Sequence, residues 1–428
     1  MDRALYENHL TILRSELVIA LGCTEPIAIA YAAAKARQLL GEMPERCVVS
    51  CSGNIVKNVM GVTVPNSGGM RGIDVATVLG VVGGNPELEL AVLEGVTEEH
   101  RAKVRSLLEN REYCTCKLIE NVATLYIVVE LYAGEHSALV EIQNTHKNIT
   151  RMEKDGQSCL SRTATPEEKI YKTGDRSLLT VDNIVEFADA VDLEDIEPIL
   201  TPQIELNMAI CREGLEHPYG AEVGRVLLNY HDYEYITTGL RARAYAAAGS
   251  DARMNGCPMP VVINSGSGNQ GITVSVPVVV FAEHHKASRE KLLRSLVVAN
   301  LISIHQKKYI GSLSAYCGVT SAACGAACGI CYLLGHPRRV LRDTITNTIA
   351  TVGGMVCDGA KSSCAAKIAT ALQTALLGMK MGIHNCAFQP GEGLVEEDVE
   401  QTIINIGRMG REGMKATDNE ILNIMLGN

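Results

Sequence analysis

The sequence predicts a predominantly helical α+β protein. A helical domain is expected from residues 1–85 and 175–428, with a small helix-plus-antiparallel-sheet domain inserted at residues 86–174. Three observations carry that reading. Apolar residues fill 46% of 428 positions and recur at helical spacing over most of the chain. Three consecutive runs between Tyr113 and Thr145 instead carry the β-branched and aromatic residues of strands. A polar segment, Arg151–Arg176, follows them and reads as the linker back to the helical part.

In chain order, residues 4–20 place Leu5, Leu10, Ile12, Leu13, Leu17 and Val18 on one broad apolar side, and Gly22 is positioned to end that helix. Thr24 is expected to cap the next helix, with Pro26 in its first turn, ahead of the helix-forming run Ile27–Gly41. Cys23 then sits at a helix N-terminus, where the macrodipole lowers a thiol pKa; a buried packing cysteine at a helix junction is the alternative. Residues 47–64 fit either a short strand or an irregular helix. The glycine-rich loop Pro65–Gly72, with Asn66, Ser67, Gly68 and Arg71, offers backbone N–H groups of the kind that hold an anion.

Glu94–Glu109 reads as a helix with exposed charges, and Tyr113–Ile119, Ala123–Tyr132 and Ser137–Thr145 as strands. Helices are then expected at Ser177–Ala190, Ile204–Leu215 and Gly239–Ala248, with Pro198 and Pro202 between the first two. A second loop, Ile263–Ile272, echoes the first through Asn264, Ser265, Gly266, Ser267 and Asn269; a hairpin or helix-capping turn fits it equally. Lys286–His305, Leu313–Leu334, Arg339–Val356 and Ala365–Met381 complete the helical body.

Composition removes several function classes. A net charge of −10, no Lys/Arg block, no Trp and three Phe argue against nucleic acid or an acidic membrane surface as partner. The uncharged run Leu313–Gly335 is long enough to cross a bilayer, but its Ala, Gly, Ser and Cys suit close packing in a soluble core. The first residues lack the layout of a signal peptide, so a cytoplasmic location is expected. There thiols stay reduced, and most of the fifteen cysteines are expected to be small buried hydrophobes.

A few cysteines are placed for more. Cys357 and Cys364 flank a polar turn, Asp358–Ser363, within Val352–Ala366. In an unbroken helix their seven-residue step would hold the sulfurs about 10 Å apart along the axis. Gly359 and the two serines predict instead that one helix stops after Cys357 and another starts near Ser363, folding both thiols toward one point. Cys317 offers a third. Cys324, Cys328 and Cys331 share its helix face, but together the four would span about 21 Å, so only Cys317 at the helix start is placed for a site. Structural zinc sites favour paired CxxC motifs, and Cys328–Cys331 has no partner pair. Three thiolates without a fourth fit a 4Fe–4S cluster with one open, Lewis-acidic iron. Packing or redox roles are the alternatives.

Four motifs in order then add a resemblance: ALGCTEP at 20–26, INSGSGNQGI at 263–272, AYCGVTSAACGAACG at 315–329 and GGMVCDGAKSSCAAKI at 353–368. Together they resemble the L-cysteine desulfidase family, related to the alpha chain of iron–sulfur L-serine dehydratases, over nearly the whole chain. The resemblance implies a lyase that degrades L-cysteine to pyruvate, ammonia and sulfide. It implies Cys317, Cys357 and Cys364 as ligands of a 4Fe–4S cluster and Cys23 as proton acceptor. Within that chemistry the two Asn-Ser-Gly loops, Arg71 and Lys361 are candidates to hold the substrate carboxylate.

Two departures from the serine dehydratase pattern stand out. The loop between the second and third ligand is shorter here, and no cysteine follows Cys386, so the fourth iron is expected to be open at rest and sensitive to oxygen. The partners expected are a small amino-acid substrate and a second copy of the chain in a homodimer, without nucleic acid or membrane. L-Serine as substrate, a pyridoxal enzyme, and a non-catalytic cysteine- or metal-binding protein are the competing readings.

Overall fold

The computed structural model describes residues 1–161, 172–229, 236–311 and 313–427. It is helical with one main sheet, as the fold class predicts. That sheet has six strands in the order β3-β2-β4-β5-β6-β7: β2 is Arg46–Ser52, β3 Cys114–Ile119, β4 Tyr126–Ala133, β5 His136–Gln143, β6 Ile149–Lys154 and β7 Gln157–Ser161. On β5, Ala138, Val140 and Ile142 are buried while their neighbours face outward, the two-residue period of a one-sided sheet. The helices Thr24–Leu40 and Ile73–Gly83 pack on each other and cover the buried face.

Three expectations about this unit are corrected. The sheet is mixed, because β2 runs parallel to β3 and antiparallel to β4. The ambiguous stretch after residue 46 supplies that strand, so a strand from before residue 86 lies inside the sheet. Part of the expected linker is ordered as β6 and β7, joined by Asp155 and Gly156, both at positive φ as a tight hairpin requires. The Asp-Gly pair was the available signal, overridden by the surrounding polarity. Residues 162–171 of that segment lie outside the described residues.

The helical body centres on Val319–Leu333, whose side chains are buried almost all round. Gly325 and Gly329 let it pack closely: a Cβ on Gly325 would stand 2.4 Å from the Ala299 carbonyl. Around it lie Gly268–His284, Arg289–Ile310, Arg338–Val352 and Cys364–Ile383. The helix expected from Leu313 therefore starts later, and Cys317 precedes it. The helix expected at Ile204–Leu215 starts earlier, at Leu193, and runs to Glu216 with Pro198 and Pro202 inside it; buried Ile196 and Leu200 hold it against the body despite the lost backbone donors.

One short pairing matters most for function. The first helix ends at Glu16, earlier than Gly22, because Ile19–Leu21 forms strand β1. It pairs antiparallel with β8, Pro260–Val262. Cys23 lies just beyond one strand and the second glycine loop just beyond the other, so this ladder brings them together.

Candidate active site

The cysteine corner is built by a second small ladder. Arg338–Val352 ends, and the chain runs extended beside residues 315–317. The Cys317 N–H donates to the Met355 carbonyl at 2.8 Å, and the Cys357 N–H to the Ala315 carbonyl at 2.6 Å. Gly359 then turns at φ +94° against the backbone of Lys57, where a Cβ would stand 2.3 Å from the Lys57 carbonyl oxygen. Ser363 takes the N-cap position of the helix that begins at Cys364, although its hydroxyl makes no cap bond. The expected stop-and-restart is thus present, with the stop at Val352 instead of after Cys357.

Cys317, Cys357 and Cys364 all line one cavity of about 400 Å³, together with Cys23. The neighbouring Cys317 and Cys357 thiols shift each other, Cys317 up and Cys357 below the ordinary thiol range, and Lys57 adds to the lowering of Cys357. Burial pushes Cys364 up.

Cys23 is buried and is itself the N-cap residue of Thr24–Leu40, so Thr24 is not the cap. The Thr24 hydroxyl lies 3.1 Å from Glu25 Oε2 and 3.0 Å from the Gly266 carbonyl oxygen. The Cys23 thiol donates to Glu25 Oε2 at 3.2 Å. Burial, and next the Glu25 carboxylate, push the Cys23 thiol up, with Arg253 pulling the other way. The expectation of a lowered thiol pKa is therefore reversed: a desolvated site beside a carboxylate outweighs the helix dipole.

Cations surround the thiols. Lys57, Arg253 and Lys307 are 1%, 3% and 6% exposed. Lys57 donates to the Cys357 carbonyl at 3.3 Å and pairs with Asp418. Burial pushes the Lys307 amine down to about 8, against the pull of Cys357 and Cys317. Arg253 donates to Asn269 Oδ1 at 3.1 Å, and its Nε has no hydrogen-bond partner among the described residues. His146, from the loop between β5 and β6, and Gln270 also form part of the wall.

The second loop reaches this cavity through Ser265, Gly266, Ser267 and Asn269. Asn264 does not; it is tied into a buried amide network, donating to Asn300 Oδ1 at 2.9 Å. The first loop is absent from the cavity lining. Asn66 donates to the Leu93 carbonyl, Ser67 to the Met70 carbonyl, Gly68 lies against Arg101, and Arg71 is exposed. Lys361 pairs with Asp358 at 3.1 Å and leaves its neighbours Gly359 and Ala360 to line the site. Arg253, Lys307, Glu25 and His146 were missed by sequence reasoning. Arg253 carried a signal, a lone cation at the end of an alanine-rich run; Lys307, beside Lys308 in a helix's last turn, looked like surface charge.

Among the described residues no helix is long and apolar enough to cross a membrane. The serine dehydratase alpha chain family matches residues 87–423. A UPF0597 protein of Lachnoclostridium phytofermentans is 47% identical over 426 residues, covering 99% of this chain and 100% of its own. UPF0597 proteins of Desulfitobacterium hafniense and Treponema denticola are 46% and 43% identical, over 98% and 100% of this chain and 97% and 99% of theirs. With the match spanning most of its length and containing Cys317, Cys357 and Cys364, the chain belongs to the serine dehydratase alpha chain family.

Proposed function

We propose that the protein is a cytoplasmic iron–sulfur lyase that β-eliminates L-cysteine to pyruvate, ammonia and sulfide. Cys317, Cys357 and Cys364 would hold a 4Fe–4S cluster, and Cys23 would accept the substrate's Cα proton. The observation that carries this reading is the convergence of those four thiols, from three distant parts of the chain, on one cavity.

The donor set and its charge suit such a cluster. Three buried cations stand around the thiols, and Asp418 is the carboxylate that pairs with one of them. Buried charge is costly without a counter-charge, and ligated thiolates would supply it. Among the described residues no three His, Cys, Asp or Glu side chains gather about a single metal-ion position. A cluster, whose thiolates each bind a different iron, uses a wider spacing. When bound, it would supply an open iron as Lewis acid for the departing sulfur.

The chain's own groups would do the rest. The Arg253 guanidinium, with its Nε unpartnered, would take the substrate carboxylate, aided by Asn269 and the loop at Ser265–Ser267. Lys307 would offset negative charge at Cys317 and Cys357. Loss of the Cα proton to Cys23 and of the β-sulfur leaves aminoacrylate, which becomes an imine and hydrolyses to pyruvate and ammonia.

A second reading, L-serine as substrate, is favoured by the family match itself. One experiment decides. Protein reconstituted anaerobically with iron and sulfide is incubated with each amino acid, while pyruvate and released sulfide are assayed. Pyruvate and sulfide from L-cysteine at the higher kcat/KM support the desulfidase; faster pyruvate from L-serine supports the dehydratase. Bound iron with no product from either would leave only a binding role.

A further inference from the structure

We propose that Glu25 and His146 carry the Cys23 proton out of the cavity, Glu25 taking it from the sulfur and His146 handing it to solvent. This rests on Cys23 being the base of the proposed reaction. A base that takes one proton per turnover must release it before the next, and Cys23 is only 2% exposed, so a route through neighbouring groups would serve it while substrate fills the cavity.

The geometry supplies an indirect one. Glu25 Oε2 lies 3.2 Å from Cys23 Sγ, and the Thr24 hydroxyl, 3.1 Å away, fixes that oxygen. Glu25 Oε1 faces His146 Nε2 at 3.8 Å, a gap that a small side-chain adjustment closes to hydrogen-bonding range. His146 Nε2 is buried with no other hydrogen-bond partner among the described residues. The ring's other edge abuts Gly266, and the side chain is 12% exposed. Its neighbours Asn144, Thr145 and Lys147 form part of the same cavity wall.

The groups facing Glu25 are Cys23, Thr24 and His146, with Arg253 acting on Cys23 from beyond. Burial raises the Glu25 carboxyl, but His146 and the Cys23 thiol outweigh it and hold the group ionised. The resting pair is thus thiol and carboxylate. Passing the first proton outward creates the thiolate that turnover needs.

The step balances. The Cα–H bond breaks, its electron pair forms the Cα–Cβ double bond as the Cβ–S bond breaks, and the proton joins Cys23 Sγ. The S–H proton then moves to Glu25, a proton moves from Glu25 to His146 Nε2, and the imidazolium releases one to water.

The test compares wild type, Glu25→Gln and His146→Ala as anaerobically loaded protein. Iron content, pyruvate formation against pH, and alkylation of Cys23 by iodoacetamide, followed by peptide mass, are measured in each. Both variants are expected to keep their iron. Glu25→Gln should alkylate at Cys23 at lower pH than wild type, because the carboxylate no longer holds the thiol up, yet turn over about 10²-fold more slowly. A purely structural residue would not give a more reactive thiol and a slower enzyme together. His146→Ala, on the cavity wall, should lose about tenfold or more and recover with added imidazole. A wild type that makes no pyruvate overturns the proposed function and the relay with it. A working wild type matched by Glu25→Gln, or a slowed His146→Ala that imidazole leaves unchanged, overturns the relay alone.

Discussion

In the loop Pro65–Gly72 the Asn and Ser side chains are engaged by their own surroundings: Asn66 by the Leu93 carbonyl, Ser67 by the Met70 carbonyl. In Ile263–Ile272 the same Asn-Ser-Gly pattern is carried by the β1–β8 ladder to the wall of a cavity, where Gly266 meets Thr24 and Asn269 meets Arg253. Local sequence sets the turn in both loops, and a pairing elsewhere in the chain decides which one faces a ligand. The cysteines repeat the lesson. Cys317, Cys357 and Cys364 line the cavity, while Cys324, Cys328 and Cys331, in the helix that follows Cys317, are sealed in the core.

The largest expected difference is therefore between two cysteines. Cys357→Ala should lose bound iron and all turnover. Cys324→Ala should keep both and cost about 1–2 kcal/mol of stability as a small buried group is removed. Iron analysis beside denaturant unfolding reads the pair; iron retained in Cys357→Ala would break the comparison.

Two glycines give the next largest contrast. Gly359 and Gly69 share nearly the same positive φ, +94° and +91°. Around Gly69 an added Cβ meets nothing within 4 Å, so Gly69→Ala should cost about 1–2 kcal/mol of backbone strain alone. At Gly359 it would strike the Lys57 carbonyl oxygen and displace the turn between Cys357 and Cys364. Gly359→Ala should lose most of its iron without touching a ligand. Wild-type iron content in that variant would show that the turn does not set the thiol positions.

Much of this was legible in the chain. The helical body, the strands after Tyr113 and the turn at Gly359 follow from period, breakers and spacing; the cavity-lining cysteines needed the motif resemblance as well. Strand β2 was not, because Arg46–Ser52 is buried along nearly its whole length and loses the alternation that marks a half-exposed strand. The parallel β2–β3 pairing, the β1–β8 ladder, and the meeting of Arg253 and Lys307 with distant thiols are long-range facts without a local pattern. The direction of the Cys23 shift was misread for the same reason. The helix terminus is visible in sequence; the desolvation and the inward-facing Glu25 carboxylate belong to the fold.

The arginines test the loops directly. Arg253→Met should raise KM by about 10–100-fold, the loss of a charge-assisted hydrogen bond of about 1.5–3 kcal/mol to the substrate carboxylate. Arg71→Met, an exposed residue away from the cavity, should leave KM unchanged. If the two variants shift KM alike, the first loop has been wrongly set aside.

The smallest contrast is the sharpest, because the two serines should cost nearly the same in stability. The Ser267 hydroxyl accepts from the Gln270 N–H at 3.4 Å and caps Gly268–His284, a role worth about 1 kcal/mol. The Ser67 hydroxyl donates to the Met70 carbonyl at 2.9 Å, a neutral bond of about the same worth. Unfolding curves of Ser267→Ala and Ser67→Ala should therefore nearly coincide. Their kinetics should not: Ser267 lines the cavity, and losing one neutral contact there should raise KM about 2–10-fold, while Ser67→Ala keeps the wild-type value. Equal stability with unequal KM would separate position from pattern in two loops that sequence alone makes alike.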